Sequence, residues 1–298
     1  MNTEPVVSTR NLCRSFGGTR AVNNLTLEVP QESVFGLIGP NGSGKTTAIR
    51  LILGLLEPDS GESFVFGEPS PELRSPTRQR IGYLTEEPLP FGSQSVDALL
   101  KYISCFFDHW DWDYAKRERK RFDIPGDKPL DQLSFGQRRR AELLLVLAQK
   151  PDLLILDDPT IGLDASVRRD FLYTALEAAQ EEGRTVLFTS HVLHDVERVV
   201  DRVGIITSGS MDEVAELDDL KTRTKRLVLR ADANEADIPG LVSCHRNGTL
   251  LFAVTSRFDQ ELATSLRARY GELEVEDINL EDIFLAHAVR DQKRGAVH

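Results

Sequence analysis

The sequence predicts an α/β fold organised around a mostly parallel sheet, and three observations carry that expectation. Val34-Phe35-Gly36-Leu37-Ile38 is a continuous apolar run of the kind that forms a strand buried on both faces. A glycine-rich loop, Gly39–Thr46, follows it directly and opens a helix. A second such run, Leu153–Leu156, is succeeded by a helix over about 165–181 and a strand at Thr185–Thr189. Strands that alternate with helices imply a parallel sheet.

The remaining elements follow in order. Residues 6–30 read as short strands around a Gly17-Gly18 turn, with alternation at Thr26–Val29, which predicts an antiparallel N-terminal subdomain. The helix that begins at Lys45 is expected to run to Leu56 and to stop at Pro58-Asp59-Ser60-Gly61. Leu51–Leu56 and Leu143–Ala148 read as buried helix. Residues 93–150 carry helical periodicity, both tryptophans and two basic runs, Lys116–Arg121 and Arg138–Arg140. They predict a helical insertion whose basic runs are solvated faces and whose Trp110 and Trp112 serve packing. A strand at Val203–Thr207 ends at Ser208-Gly209-Ser210. Beyond 220, Arg226–Arg230 and Thr249–Val254 alternate as strands and Phe258–Tyr270 reads as a helix. Asn279 caps a last helix, with Asp282 three residues on and an apolar face at Leu280, Ile283 and Phe284. The expected organisation is therefore a domain over 1–222 and a small α/β appendage over 223–298.

Composition narrows the function. With a net charge of −11, the chain lacks the basic face of a nucleic-acid groove, so no nucleic-acid partner is expected. No apolar run approaches the roughly 20 residues of a membrane helix. The first ten residues, MNTEPVVSTR, show no signal pattern, so the expectation is a cytosolic chain that reaches any membrane through a partner. Cys13, Cys105 and Cys244 are odd in number and scattered, and are expected to be reduced, buried thiols.

The chemistry resides in spaced motifs. Gly39-Pro40-Asn41-Gly42-Ser43-Gly44-Lys45-Thr46 fits the phosphate loop of nucleoside triphosphatases and lies between a predicted strand and helix, the context that motif needs. Its glycines allow backbone N–H groups to converge on phosphate oxygens at a helix N-terminus, with Thr47 in the first turn. Lys45 is placed to reach the β- and γ-phosphates, and Thr46 to offer a hydroxyl to Mg²⁺. Asp157 and Asp158 end a buried strand, where metal and phosphate bind in such sheets. Asp157 is the expected metal partner, and Asp158 the group that polarises the attacking water. Leu133-Ser134-Phe135-Gly136-Gln137 opens a further helix, with Ser134 as its cap, and forms a second anion site. One nucleotide does not need two such sites from one chain, whereas two chains arranged head to tail do.

In this order the motifs resemble the ATP-binding subunits of ABC transporters over about residues 6–220. Gly39–Thr46 matches that family's Walker A, Leu153–Asp157 its Walker B, Leu133–Gln137 its signature, and Ile161–Asp164 its D-loop. His191 matches its switch histidine, and Phe16 sits where the family stacks an aromatic on adenine. The resemblance implies a RecA-like core with a helical signature subdomain. It implies ATP and Mg²⁺ as ligands, a homodimer or heterodimer of ATPase subunits, and a separately encoded membrane permease. It also implies a location on the cytoplasmic face of the cell membrane. His191 would bond the γ-phosphate and position water. The tail INLEDIFLAHAVR is similar to that of ABC-2-type exporter subunits, and Asp108–Asp113 with DKPLDQLSFGQRRR to the YtrB-like group. Export is the implied direction.

Three positions depart from the family pattern. Phe135 replaces a glycine. Asp158 replaces a glutamate and is shorter by roughly 1.5 Å, and a misplacement of about 1 Å can cost ~100-fold in rate. Slow turnover, or a heterodimer whose other subunit does most of the hydrolysis, is therefore expected. Glu86, in Ile81-Gly-Tyr-Leu-Thr-Glu86, replaces a glutamine. A carboxylate can ligate Mg²⁺, and Glu87 is the alternative. Two other readings stay open: a subunit that holds ATP and barely hydrolyses it, and a soluble ABC ATPase acting on nucleic acid or ribosomes. The second lacks a paired ATPase domain, a long coiled coil and zinc-finger cysteines here.

Overall fold

The computed structural model describes residues 4–108, 110–180 and 183–295. Its central sheet has the order β10-β9-β3-β8-β7-β6. The strands are β3 (Val34–Ile38), β6 (Ile81–Leu84), β7 (Leu153–Leu156), β8 (Thr185–Ser190), β9 (Arg202–Thr207) and β10 (Ser210–Glu216). All pairings are parallel except β9 with β10. Every residue of β3, β7 and β8 is buried, as continuous apolar strands covered on both faces must be. The strand expected to end at Thr207 is followed by a further strand, β10, that is not legible in the sequence. Ser208 and Gly209 form a tight turn there, at φ 44° and 80°, and the half-buried strand SMDEVAE carries too little alternation to be recognised.

An antiparallel sheet, β2-β1-β4-β5, covers one face of the core. It comprises β1 (Val7–Phe16), β2 (Thr19–Val29), β4 (Ser60–Val65) and β5 (Glu68–Pro69). The strands β1 and β2 are long, turn through Gly17 and Gly18, and slip register at bulges. Their inner residues pack with α1 (Lys45–Ile52) in one apolar cluster that includes Leu12, Leu25, Leu37 and Ile49. Helix α1 is shorter than expected. Gly54 turns the chain at φ 64°, and a Cβ there would lie 1.9 Å from the Ser70 carbonyl oxygen, so Leu55 is left 59% exposed.

A short helix, α2 (Ser75–Gln79), precedes β6. The helical region comprises α3 (Val96–Ser104), α4 (Trp112–Arg121) and α5 (Phe135–Leu147). It shares the second cluster with the other face of the sheet, through Leu99, Tyr114, Phe122, Leu144 and Phe188. Leu143–Ala148 is buried as read. The basic run Arg138–Arg140 corrects its reading, because Arg139 is 2% exposed and fully bonded. Trp110 packs on the cluster, whereas Trp112 is 42% exposed. Helix α6 (Ala165–Gln180) follows the nucleotide motifs, with Glu181, its expected end, outside the described residues. A short helix, α7 (Leu193–Val196), follows β8. Of the cysteines, none of them in a disulfide, only Cys13 is buried; Cys105 is exposed and Cys244 is half-buried.

After α8 (Leu217–Arg223) comes a third sheet, β12-β13-β11-β14. It is formed by β11 (Lys225–Arg230), β12 (Leu241–Asn247), β13 (Leu250–Thr255) and β14 (Glu274–Asp277), with α9 (Gln260–Tyr270) between β13 and β14 in the chain. Leu227, Leu229, Leu251 and Leu266 make its own small cluster. The last helix, α10 (Leu280–Gly295), starts where Asn279 Oδ1 accepts from the Asp282 N–H at 2.8 Å. Its face at Leu280, Ile283 and Ala286 is buried in the cluster of the central sheet.

Candidate active site

The phosphate loop, the two aspartates and His191 follow β3, β7 and β8, three adjacent parallel strands, and so meet at one carboxyl edge of the sheet. Backbone demands explain the glycines. Gly42 and Gly44 hold φ 79° and 101°. A Cβ on Gly39 would lie 2.4 Å from the Ile206 carbonyl oxygen, and one on Gly44 2.2 Å from that of Ala21. Gly209 N–H donates to the Ser43 carbonyl at 3.0 Å and its own carbonyl accepts from Asn23 N–H, so the β9–β10 turn braces the loop against β2.

Helix α1 begins at Gly44 with no side-chain cap, which leaves its first N–H groups directed at the pocket. The pocket is about 380 Å³ and is lined by Asn41, Gly42, Gly44–Thr47, Ala21, Glu86, Asp158 and Ile161. Lys45 donates to the carbonyls of Gly39 at 2.8 Å and Pro40 at 3.1 Å. Burial pushes its pKa down, while Asp158, Asp157 and Glu86 oppose that shift.

Asp157 is 1% exposed. Its Oδ1 accepts from Thr189 Oγ1 at 2.8 Å and Thr46 Oγ1 at 3.2 Å. Its Oδ2 is buried and without a hydrogen-bond partner among the described residues. Burial raises the Asp157 pKa, against the two threonine hydrogen bonds. A dication beside Oδ2 would relieve both conditions, so the donor set of Asp157, Thr46 and the nearby Glu86 fits Mg²⁺. Glu86 lines the pocket. Glu87, by contrast, points to Arg50 Nη2 at 3.9 Å.

Asp158 occupies the left-handed region at φ 43°, and its N–H is held by Thr189 Oγ1 at 2.8 Å. Its two carboxylate oxygens face His191 Nδ1 at 3.0 and 2.9 Å. A carboxylate only accepts, so Nδ1 carries the proton and Nε2 is presented outward. Read along the chain these residues have separate tasks; the fold joins them.

The signature segment lies in a different pocket of about 320 Å³, lined by Ser134–Gln137, Arg140, Gly162–Asp164 and Val167. Ser134 Oγ accepts from Gln137 N–H, and Gln137 Oε1 accepts from Ser134 N–H, a complete capping box. The Phe135 ring lies where a Cβ on Gly162 would come within 3.2 Å of it. The turn after β7 thus contributes Ile161 to one pocket and its next three residues to the other. Phe16 is 47% exposed, under the Arg14 guanidinium at 5.1 Å, and is not in the lining of the phosphate-loop pocket.

Sequence reasoning missed the buried clamp that joins these parts. Arg139 donates to Thr85 O at 3.1 Å, Pro159 O at 3.2 Å and Glu142 Oε2 at 2.8 Å. Glu142 Oε1 accepts from Leu89 N–H at 3.2 Å. Helix α5 therefore grips both ends of the loop that carries Glu86, together with the residue that follows Asp158. The i, i+3 spacing of Arg139 and Glu142 was the available signal.

The family profile described as ABC transporter matches residues 22–161. The Nod factor export ATP-binding protein I of Burkholderia lata is 31% identical over 95% of this chain and 97% of that relative. The chain belongs to the ABC transporter ATP-binding family. As such it binds and hydrolyses ATP. The ABC transporter ATP-binding protein YtrB of Bacillus subtilis is 29% identical over 94% of this chain and 97% of its own length. Among solved structures, cbiO1 of Clostridium perfringens, part of the cbiONQ ABC transporter complex, superposes with a TM-score of 0.64 at 26% identity. That superposition covers 73% of this ABC subunit and 90% of cbiO1.

Proposed function

We propose that two copies of this chain, or this chain and a paralogue, close over two ATP molecules and drive export through a separate integral-membrane permease. The carrying observation is that one chain holds two helix N-termini in separate pockets, joined by the turn 161–164. Gly39–Thr47 and Lys45 bind the phosphates of the chain's own nucleotide. Thr46, Asp157 and Glu86 would hold Mg²⁺, which when bound would supply positive charge to the phosphate oxygens. Asp158 orients and deprotonates the attacking water, and His191, held by Asp158 through Nδ1–H, would donate from Nε2–H to the γ-phosphate when the ring carries both protons. Ser134, Gly136 and Gln137 close over the nucleotide of the opposing chain. Phe16 supports the adenine ring from the end of β1.

No helix among the described residues is long and apolar enough to cross a membrane, which supports the need for a membrane partner. The names of the export relatives support the direction. The proposed location is the cytoplasmic face of the membrane. Sedimentation and ATPase assays with Mg-ATP test the reading: wild type should dimerise and hydrolyse with a rate that rises with protein concentration. Lys45→Ala should lose ATP binding by about 100-fold or more. A monomer with concentration-independent turnover would overturn it.

A further inference from the structure

Phe135, the first residue of α5, stands in the signature segment without a part in either anion site, and its large apolar ring is 47% exposed. The edge of that ring overlies the turn 161–164. A Cβ on Gly162 would stand 3.2 Å from both Cε1 and Cζ of the ring. The seam stays tight one residue on, where a Cβ on Gly136 would lie 3.1 Å from Val167 Cγ1. Further along it, Arg140 Nη2 bonds Asp170 Oδ2 at 2.5 Å. The start of α5 is thus packed along the turn and the start of α6.

The turn matters because it serves both pockets. Asp158 and Ile161 line the nucleotide pocket, and Gly162 to Asp164 line the signature pocket. Ile161 N–H donates to the Asp158 carbonyl and Leu163 N–H to that of Thr160, both at 3.2 Å, the long end of the normal range. Thr160 and Leu163 are buried and anchor the turn, while Gly162 between them brings no side chain of its own. Gly162 lies at φ 76°, and a glycine has the most backbone freedom to lose. A ring laid over it restricts that freedom from outside the turn. Asp158, at φ 43°, carries its carboxylate at the head of the same segment, so its direction depends on how that segment is set.

We propose that Phe135 is a positioning residue for ATP hydrolysis: its ring holds Gly162 and thereby fixes the segment that carries Asp158 and Ile161 into the nucleotide pocket. This role rests on the dimer proposed above and on Asp158 as the group that orients water. It means that the edge offered to the opposing nucleotide and the floor of the chain's own nucleotide pocket are set as one unit. Displacement of the signature edge on closure would then be felt at Asp158 of the same chain.

Amide hydrogen exchange in the full chain without nucleotide reads the clamp directly. In Phe135→Ala the amides of Ile161 and Leu163 should exchange ~10-fold faster than in wild type, while those of β7 and β8 keep their protection. With Mg-ATP in excess, Phe135→Ala should lose ~10-fold in kcat with KM held within about twofold. Phe135→Leu, which keeps apolar bulk over Gly162, should return kcat to within about threefold of wild type. Gly162→Ala presses a Cβ against the ring, so it should lower kcat at least ~5-fold more in the wild-type background than in Phe135→Ala, where only the strain at positive φ remains. Unchanged exchange at Ile161 and Leu163 in Phe135→Ala overturns the proposal. So does a raised KM with kcat unchanged, an absence of recovery in Phe135→Leu, or independent effects of the two alanine substitutions. Faster exchange in Phe135→Ala, in a protein whose wild type does not dimerise with Mg-ATP, supports the clamp and counts against the dimer reading. Unchanged exchange in a protein that does dimerise overturns the clamp and leaves the dimer reading standing.

Discussion

Two helix N-termini define this protein's chemistry, and they are built in opposite ways. Helix α1 starts at a glycine in the left-handed region with no side-chain cap, enclosed by Ala21 and the β9–β10 turn. Helix α5 starts at Ser134 inside a full capping box, beside a half-exposed phenylalanine. At α1 the uncapped N–H groups border the phosphate-loop pocket, an arrangement suited to an anion within one chain. At α5 the Gln137 N–H is consumed by Ser134 Oγ, which keeps its own O–H proton to donate outward. The second terminus is a rigid, pre-satisfied edge. It is suited to complete another site and not to bind an anion unaided.

The sharpest way to break this contrast is to fill the uncapped terminus. Gly44→Ala must hold φ 101° with its Cβ 2.2 Å from a carbonyl oxygen. Nucleotide binding by equilibrium titration should vanish, and the cost should be on the order of 3 kcal/mol or more in chemical unfolding. Next in size is the pair at the pocket floor. Asp158→Asn and His191→Ala should each lower kcat by ~100-fold or more with little change in ATP affinity. The double variant should be no slower than the worse single one, because the two side chains act as a unit. Multiplying effects would show that they work separately.

The clamp that holds α5 to the loops after β6 and β7 can be cut at Arg139. Arg139→Met leaves the Glu142 carboxylate buried without its closest cation, and urea unfolding should register a loss of about 3 kcal/mol. Arg140→Met, which removes an exposed pair with Asp170, should cost less than about 1 kcal/mol. The smallest effect belongs to the capped terminus. Ser134→Ala should cost about 1 kcal/mol of stability and leave the ATP affinity of the single chain within about twofold. Its turnover should nevertheless fall in the dimer. Equal loss of affinity in the single chain would erase the contrast drawn above.

The legible parts of the molecule share a physical cause. A phosphate loop needs glycines, a lysine and a hydroxyl at fixed spacing because its backbone is the ligand, so the chemistry is written locally. The same holds for the apolar runs of β3, β7 and β8, which two covered faces force to be continuous. The misread parts depend on distant neighbours. Three consecutive arginines at 138–140 look like a solvated face, and only the loop 85–89 and Pro159 packed around Arg139 show that the middle one is buried. Three scattered cysteines look alike in sequence, yet only Cys13 is fully buried. Glu86 and Glu87 are adjacent and chemically identical, and the turn after β6 alone sends one to the pocket and the other towards Arg50.

The sequence by itself determined the phosphate-loop pattern at Gly39–Thr46, the acids at the end of β7 and the start of a further helix at Ser134. Each of these is a local requirement of backbone geometry or residue chemistry. Tertiary structure alone decided that Asp158 and His191 form one unit and that Arg139 ties α5 to the loops after β6 and β7. It alone also decided that α10, at the far end of the tail, packs into the cluster of the central sheet. Those outcomes depend on which surfaces are buried against one another, and burial is a property of the packed chain that no single segment carries.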